Sequence, residues 1–150
     1  MANSLSHCSG STEGRLLNLT VGTSLRIAAA RYPNRDALVS LFQDSRFTYA
    51  ELDQAADEVS VSLVALGVKA GDRVAIWSAN RAEWLIAHHG AARIGAIVVT
   101  VNPALRQSEA EHILQDSEAS IIFAATHFRA YSFVEALSGM IPRLPCLQHV

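Results

Sequence analysis

Adjacent imidazoles draw first attention, because histidine is a common metal ligand. His88 and His89 are neighbours in a stretch with helical character. Neighbouring helix positions point about 100° apart, whereas positions three or four apart share a face. No His-Glu-x-x-His pattern surrounds them. They are read as a partly buried or surface pair and not as a zinc site. Trp77 and Trp84 have the size to line a ligand cleft, but an aromatic on a strand and one on a helix's second turn fit a core. Glu51, Asp53, Asp57 and Glu58 invite acid–base chemistry, yet they fall on the polar face of an amphipathic helix, where solvation is the simpler reading. Asn80 and Asn102 each follow an apolar run. Ligands of open α/β sheets bind beyond such carboxyl ends. Asparagine equally serves as a helix cap or as a turn before proline, and both readings stay open.

No Gly-x-Ser-x-Gly, Gly-x-Gly-x-x-Gly or Gly-rich loop with lysine occurs. Cys8 and Cys146 lie near opposite ends and form no Cys-x-x-Cys, so neither a disulfide framework nor a zinc site is expected. No residue is therefore assigned a catalytic, cofactor-binding or metal-binding role.

The elements that position these residues centre on Gly71–Pro103. Arg73–Ser78 and Ala96–Val101 are apolar runs, and Asn80–Ile94 between them has the length of a packed helix. Two buried strands joined by a helix make a βαβ unit with a right-handed crossover. Asn80 with Glu83 is expected to cap the helix, and Gly95 to end it in a left-handed conformation. Ala87, Gly90 and Ala91 form a small face suited to lying on a sheet.

Upstream, Met1–Gly14 is Ser- and Gly-rich and reads as a flexible tail. It lacks the apolar core of a secretory signal. Its serines leave a mitochondrial presequence as the alternative to a cytoplasmic protein, although no arginine precedes Arg15. Thr20–Arg31 predicts a short helix capped by Thr23 or Ser24, with Leu25, Ala28 and Ala29 inward. Ala37–Phe42 and Phe47 predict a hairpin. Thr48 and Glu51 form a capping box. Leu52, Ala56, Val59, Leu63 and Leu66 make the apolar stripe of the helix that follows.

Downstream, Ser108 and Glu111 predict a second capping box, with Ala110, Ile113 and Leu114 buried. Ser120–Ala124 reads as a strand and His127–Leu137 as a helix. Ile141–Val150 ends in the onset of another strand. The alternation gives an α/β fold with a partial layered parallel sheet and an N-terminal hairpin.

The chain has 150 residues, enough for one domain burying roughly 70% of its unfolded surface. Half of it is apolar, 17% is charged and the net charge is −2. Lys69 is the one lysine and the eleven arginines are scattered, so nucleic acid is not an expected partner. No stretch approaches a membrane span.

The ordered set Tyr32-Pro33-Asn34-Arg35-Asp36-Ala37-Leu38, Phe47–Leu52, Leu66-Gly67-Val68 and Gly71–Ile76 continues through Asn80, Glu83-Trp84, Ile94-Gly95-Ala96, Val101-Asn102-Pro103 and Leu114-x-Asp116-Ser117. It resembles the N-terminal region of the adenylate-forming acyl-CoA synthetases (AMP-binding synthetases and ligases). The likeness covers Thr20 to Val150, making residues 15–150 an incomplete N-terminal portion of the synthetase domain. Ile76-Trp77, Glu83-Trp84 and Ala91–Ile97 look most like the branch acting on medium-chain or longer fatty acids. Ala79 departs from the family's usual proline and loosens a turn. The resemblance implies attack of a carboxylic acid on ATP, with Mg²⁺ balancing charge, and then thioester formation with coenzyme A. It also places the phosphate loop, the ribose-binding acid and the adenylation lysine downstream of Val150. The chain alone is thus expected to bind none of these cofactors and to lack activity. A non-catalytic binding or regulatory module derived from such an enzyme is the alternative. Acyl chain length and oligomeric state are not fixed by these residues.

Overall fold

The computed structural model describes Gly10, Gly14 and residues 17–150. Most of the expected tail, including Cys8, lies outside the described residues, as does Arg15 after it. Helix α1 spans Val21–Arg31. Its cap is Thr20, one turn earlier than expected, whose Oγ1 accepts from Thr23 N–H at 3.2 Å. Gly22, Leu25 and Ala29 are its buried residues.

Strands β1 (Asp36–Ser40) and β2 (Ser45–Thr48) form the expected antiparallel hairpin. A 3₁₀ turn, Leu41–Gln43, joins them, with Asp44 left-handed. Phe42 belongs to this turn and is exposed, not part of a strand.

Helix α2 runs from Tyr49 to Ala65, and the Thr48–Glu51 capping box is present in both directions. Its buried stripe is Leu52, Ala56, Ser60 and Leu63. Leu66 is exposed, because the helix ends before it and its direction no longer follows the stripe. Ser60 takes a buried place by donating its hydroxyl to Ala56 O at 2.7 Å.

The parallel sheet has three strands in the order β4-β3-β5, where β3 is Arg73–Trp77, β4 is Ile97–Val101 and β5 is Ile121–Ala124. Every residue of β3 is paired to β4, from Arg73–Ile97 to Trp77–Val101. On its other side β3 pairs with β5, from Val74–Ile121 to Trp77–Ala124. The final segment reaches β5 as well: His149 bridges to Ile121 in parallel, as the expected strand onset requires.

Alternation along β3 divides the core. Val74 points into a cluster with Leu63, Ala91 and Ile121 under α2 and α3, the latter spanning Ala82–Arg93. Ala75 and Trp77 point into the opposite cluster, with Leu114, Ile122, Phe133 and Met140. That face is covered by α4 (Gln107–Asp116) and α5 (Phe133–Met140). A parallel sheet needs both faces covered, and these helices supply the covers. A third cluster, Leu25, Leu52 and Ala56, joins α1 and the hairpin to α2 and α3.

Three local expectations are corrected. The small face of α3 meets α2 as well as the sheet: a Cβ on Gly90 would lie 2.5 Å from Val59 Cγ1 and 3.1 Å from Ala56 O. Helix α4 begins earlier than Ser108. Its cap is Arg106, whose N–H donates to the Glu109 carboxylate at 2.9 Å. Glu111 instead binds Arg143. Finally, His127–Leu137 is not one helix. His127–Phe128 (β6) and Tyr131–Ser132 (β7) make a minimal hairpin with Arg129 left-handed, and α5 starts at Phe133.

Candidate functional site

The carboxyl ends of the parallel strands carry two clefts. The first, of about 300 Å³, lies between the ends of β3 and β5 and the start of α3. Ser78, Arg81, Glu83, Trp84, Phe123 and Thr126 are among its lining. Trp84 is thus a half-buried wall of a cleft and not core, because its position near the first turn of α3 lies beyond the strand end. It stacks on His88, with centroids 5.4 Å apart. Trp77 is core as expected. It is fully buried, stacks on Phe133 at 4.1 Å, and donates its Nε1–H to Asn102 O at 3.2 Å.

The second cleft, of about 480 Å³, is formed by the loop after β4 and the hairpin after β5. Ala104, Arg106, Phe128, Arg129, Ala130 and Tyr131 line it. The Arg106 guanidinium lies 4.5 Å from the Tyr131 ring centre, and that of Arg129 lies 5.3 Å from Phe128. Neither arginine has a carboxylate within ion-pair distance among the described residues. Two uncompensated guanidiniums with their faces on aromatic rings suit a ligand that carries phosphate groups. Sequence reading missed both residues. The one available signal was that each stands a few positions after a strand end.

Asn102 makes a local turn contact, whereas Asn80 is not the cap of α3. Asn102 Oδ1 accepts from Ala104 N–H at 2.9 Å, which shapes the turn before α4. Asn80 does not cap α3; the cap position is Arg81, and no side chain there closes it. The capping acceptor comes from the hairpin instead: Gln43 Oε1 accepts from Ala82 N–H at 2.8 Å. Gln43 Nε2 donates to Glu83 at 2.8 Å. With its own N–H and Arg81 assisting, Gln43 pulls the Glu83 carboxyl down to about 2.

The acidic cluster is corrected in part. Glu51 is a cap and Glu58 faces solvent, but Asp53 and Asp57 both accept from the Arg93 guanidinium of α3. Arg93 is nearly enclosed, with 6% of its side chain exposed. His88 and His89 are neighbours on α3 with their ring planes nearly perpendicular, 87° apart. Among the described residues no group of three or more His, Cys, Asp or Glu could hold an ion.

A three-stranded parallel sheet covered on both faces by helices makes this an α/β architecture. Residues 25–146 match the AMP-binding enzyme family, and the chain belongs to that family, corresponding to the N-terminal region of its domain. It is 34% identical over 140 residues to the mitochondrial medium-chain acyl-CoA ligase ACSF2 of Mus musculus, covering 93% of this chain and 23% of that protein. It is 35% identical over 129 residues to the putative acyl-CoA synthetase YngI of Bacillus subtilis, covering 86% of this chain and 24% of that protein. A Mycobacterium tuberculosis fatty acyl CoA synthetase structure superposes with a TM-score of 0.78 at 30% identity, covering 87% of this chain and 26% of its own. The chain thus spans about a quarter of the length of the relatives it matches.

Proposed function

We propose that this chain is the N-terminal portion of an ATP-dependent acyl-CoA ligase for medium-chain or longer fatty acids, and that it does not catalyse alone. Its membership of the AMP-binding enzyme family carries the reading, together with relatives named as acyl-CoA ligases. In the whole enzyme ATP, Mg²⁺ and coenzyme A would supply the activated phosphate, the charge balance and the thiol. The residues of this chain supply the sheet scaffold. They also supply one phosphate-suited surface, a departure from the expectation that the chain alone binds no cofactor: Arg106 and Arg129 would hold the phosphates of ATP or coenzyme A. No Gly-rich loop with lysine accompanies that surface. Binding there should be weak and dependent on salt.

The test is ATP–pyrophosphate exchange with a fatty acid. The 150-residue chain should give no exchange above background. A protein that continues past Val150 through a Ser/Thr/Gly-rich loop with lysine should give it. Clear exchange by the short chain would overturn the reading.

The sheet's two covered faces favour a second reading, in which the chain folds by itself as a non-catalytic binding module. Cooperative unfolding of a monomer that retains phosphate-ligand binding would support it. On compartment, no helix among the described residues is long and apolar enough to cross a membrane. A cytoplasmic location is the simpler proposal, while the mouse relative, a mitochondrial ligase, favours mitochondria. Imaging a carboxyl-terminal fluorescent fusion separates the two.

A further inference from the structure

The segment from Arg15 to Arg35 carries four arginines and no acid, in a chain whose net charge is −2. Its aliphatic side chains divide into two sets. Leu25 and Ala29 are buried, Leu25 with Leu52 and Ala56 of α2. Leu17, in contrast, is 81% exposed, and Leu19, Val21 and Ile27 each leave close to half of their surface in solvent. Thr23, Ile27 and Arg31 follow at four-residue spacing along the face of α1 opposite Leu25 and Ala29. At the end of that face the Arg31 and Arg35 guanidiniums lie over the Tyr32 ring, 5.1 and 4.9 Å from its centre. Neither has a carboxylate within ion-pair distance among the described residues. Arg26 is different, since it donates to Asp57 of α2 at 3.2 Å. The turn that carries Tyr32 and Arg35 is held from behind by the start of α2. Pro33 O accepts from Ala50 N–H at 3.1 Å, and Arg35 O accepts from Tyr49 N–H at 3.0 Å.

We propose that this N-terminal face docks on an anionic lipid surface, with Arg31 and Arg35 on headgroup phosphates and Leu17, Leu19, Val21 and Ile27 entering the boundary of the acyl chains. Guanidiniums match phosphate through paired N–H donors. Basic residues near a membrane gain from its negative surface potential, and apolar surface beside them adds the burial part of interfacial binding. Tyr32 has an apolar ring and a polar tip, the form that suits the headgroup level. Other occupants use only half of this face. Nucleic acid would engage the guanidiniums and leave the aliphatic side chains in water. A second copy seated by the same face would set arginines against arginines. Docking needs no rearrangement, because the exposed groups sit on a helix and a turn already fixed to α2.

Co-sedimentation of the full chain with lipid vesicles at low salt tests this. Vesicles of phosphatidylcholine mixed with phosphatidylglycerol should carry the protein down, and pure phosphatidylcholine should not. Added salt should release it. R31Q/R35Q should lower the partition coefficient about tenfold. L17S/I27S should lower it severalfold with the charge untouched. All four substituted side chains are exposed, so thermal unfolding should be unchanged in both variants. Equal sedimentation with neutral vesicles, or undiminished sedimentation of either variant, would overturn the proposal. So would failure of the wild-type chain to sediment with either lipid, an outcome that would leave the face to an acidic protein partner.

Discussion

Gln43 and Ala82 are 39 residues apart, yet the Gln43 side chain closes the start of α3 by accepting the Ala82 N–H at 2.8 Å. The hairpin is thereby tied to the first turn of the helix behind the strand-end clefts. Replacing an N-terminal capping acceptor with alanine costs about 1 kcal/mol. Gln43→Ala should lower the urea midpoint accordingly, with an unchanged m-value. Asn80→Ala should leave stability unchanged, because Asn80 does not cap.

Glu83 ties the same contact to pH. Its folded-state pKa of about 2 lies below the ordinary 4.5. A depressed carboxyl contributes stability that is present above the unfolded value and is lost as pH falls through the folded one. In wild type, part of the acid destabilisation between pH 4.5 and pH 2 should come from Glu83. Denaturation midpoints of Glu83→Gln should fall less steeply over that window. An equal slope would remove Glu83 from the account.

Gly90 is required by closeness and not by backbone conformation. An added Cβ would lie 2.5 Å from Val59 Cγ1, so Gly90→Ala must push α3 from α2. Overpacking of this kind costs about 1–3 kcal/mol, against about 1 kcal/mol gained in helix propensity. Thermal unfolding should show a net loss. Adding Val59→Ala should recover part of it, a coupling that distant sites do not show.

Arg93 balances two carboxylates from an almost enclosed position. Arg93→Met leaves Asp53 and Asp57 without their strongest donor. Asp57 is half exposed, so the loss is smaller than for a fully buried pair, about 1–3 kcal/mol. Because the Arg93 hydrogen bond is the first cause of the lowered Asp57 value, carbon-detected NMR titration should show that carboxyl rising toward 3.8 in the variant.

Arg106 and Arg129 are open to a direct binding test. Calorimetry with coenzyme A at low salt should show weak binding by the chain. Each Arg→Gln change should reduce affinity about tenfold, the value of one charge-assisted contact. The salt dependence should flatten with each loss. Binding unchanged in the double variant would place the phosphates elsewhere.

Much of this was legible in the residues. The Thr48–Glu51 box, the apolar runs of β3, β4 and β5, and the left-handed Gly95 are local signals, and each is present in the fold. The caps of α3 and α4 were misread for a shared reason. Several polar residues near each start could serve, and local sequence cannot rank them. The groove was missed because its arginines are 23 positions apart and belong to no motif.

By itself the sequence determined the α/β alternation, the family and the strand cores, because hydrophobic periodicity and turn chemistry act over a few residues. Only the tertiary structure decided what the polar side chains do. It made Asp53 and Asp57 partners of Arg93, gave the cap of α3 to Gln43, put Trp84 on a cleft and brought Arg106 toward Arg129. Those roles depend on which elements the sheet and its covering helices bring within a few ångströms, a distance that position along the chain does not encode.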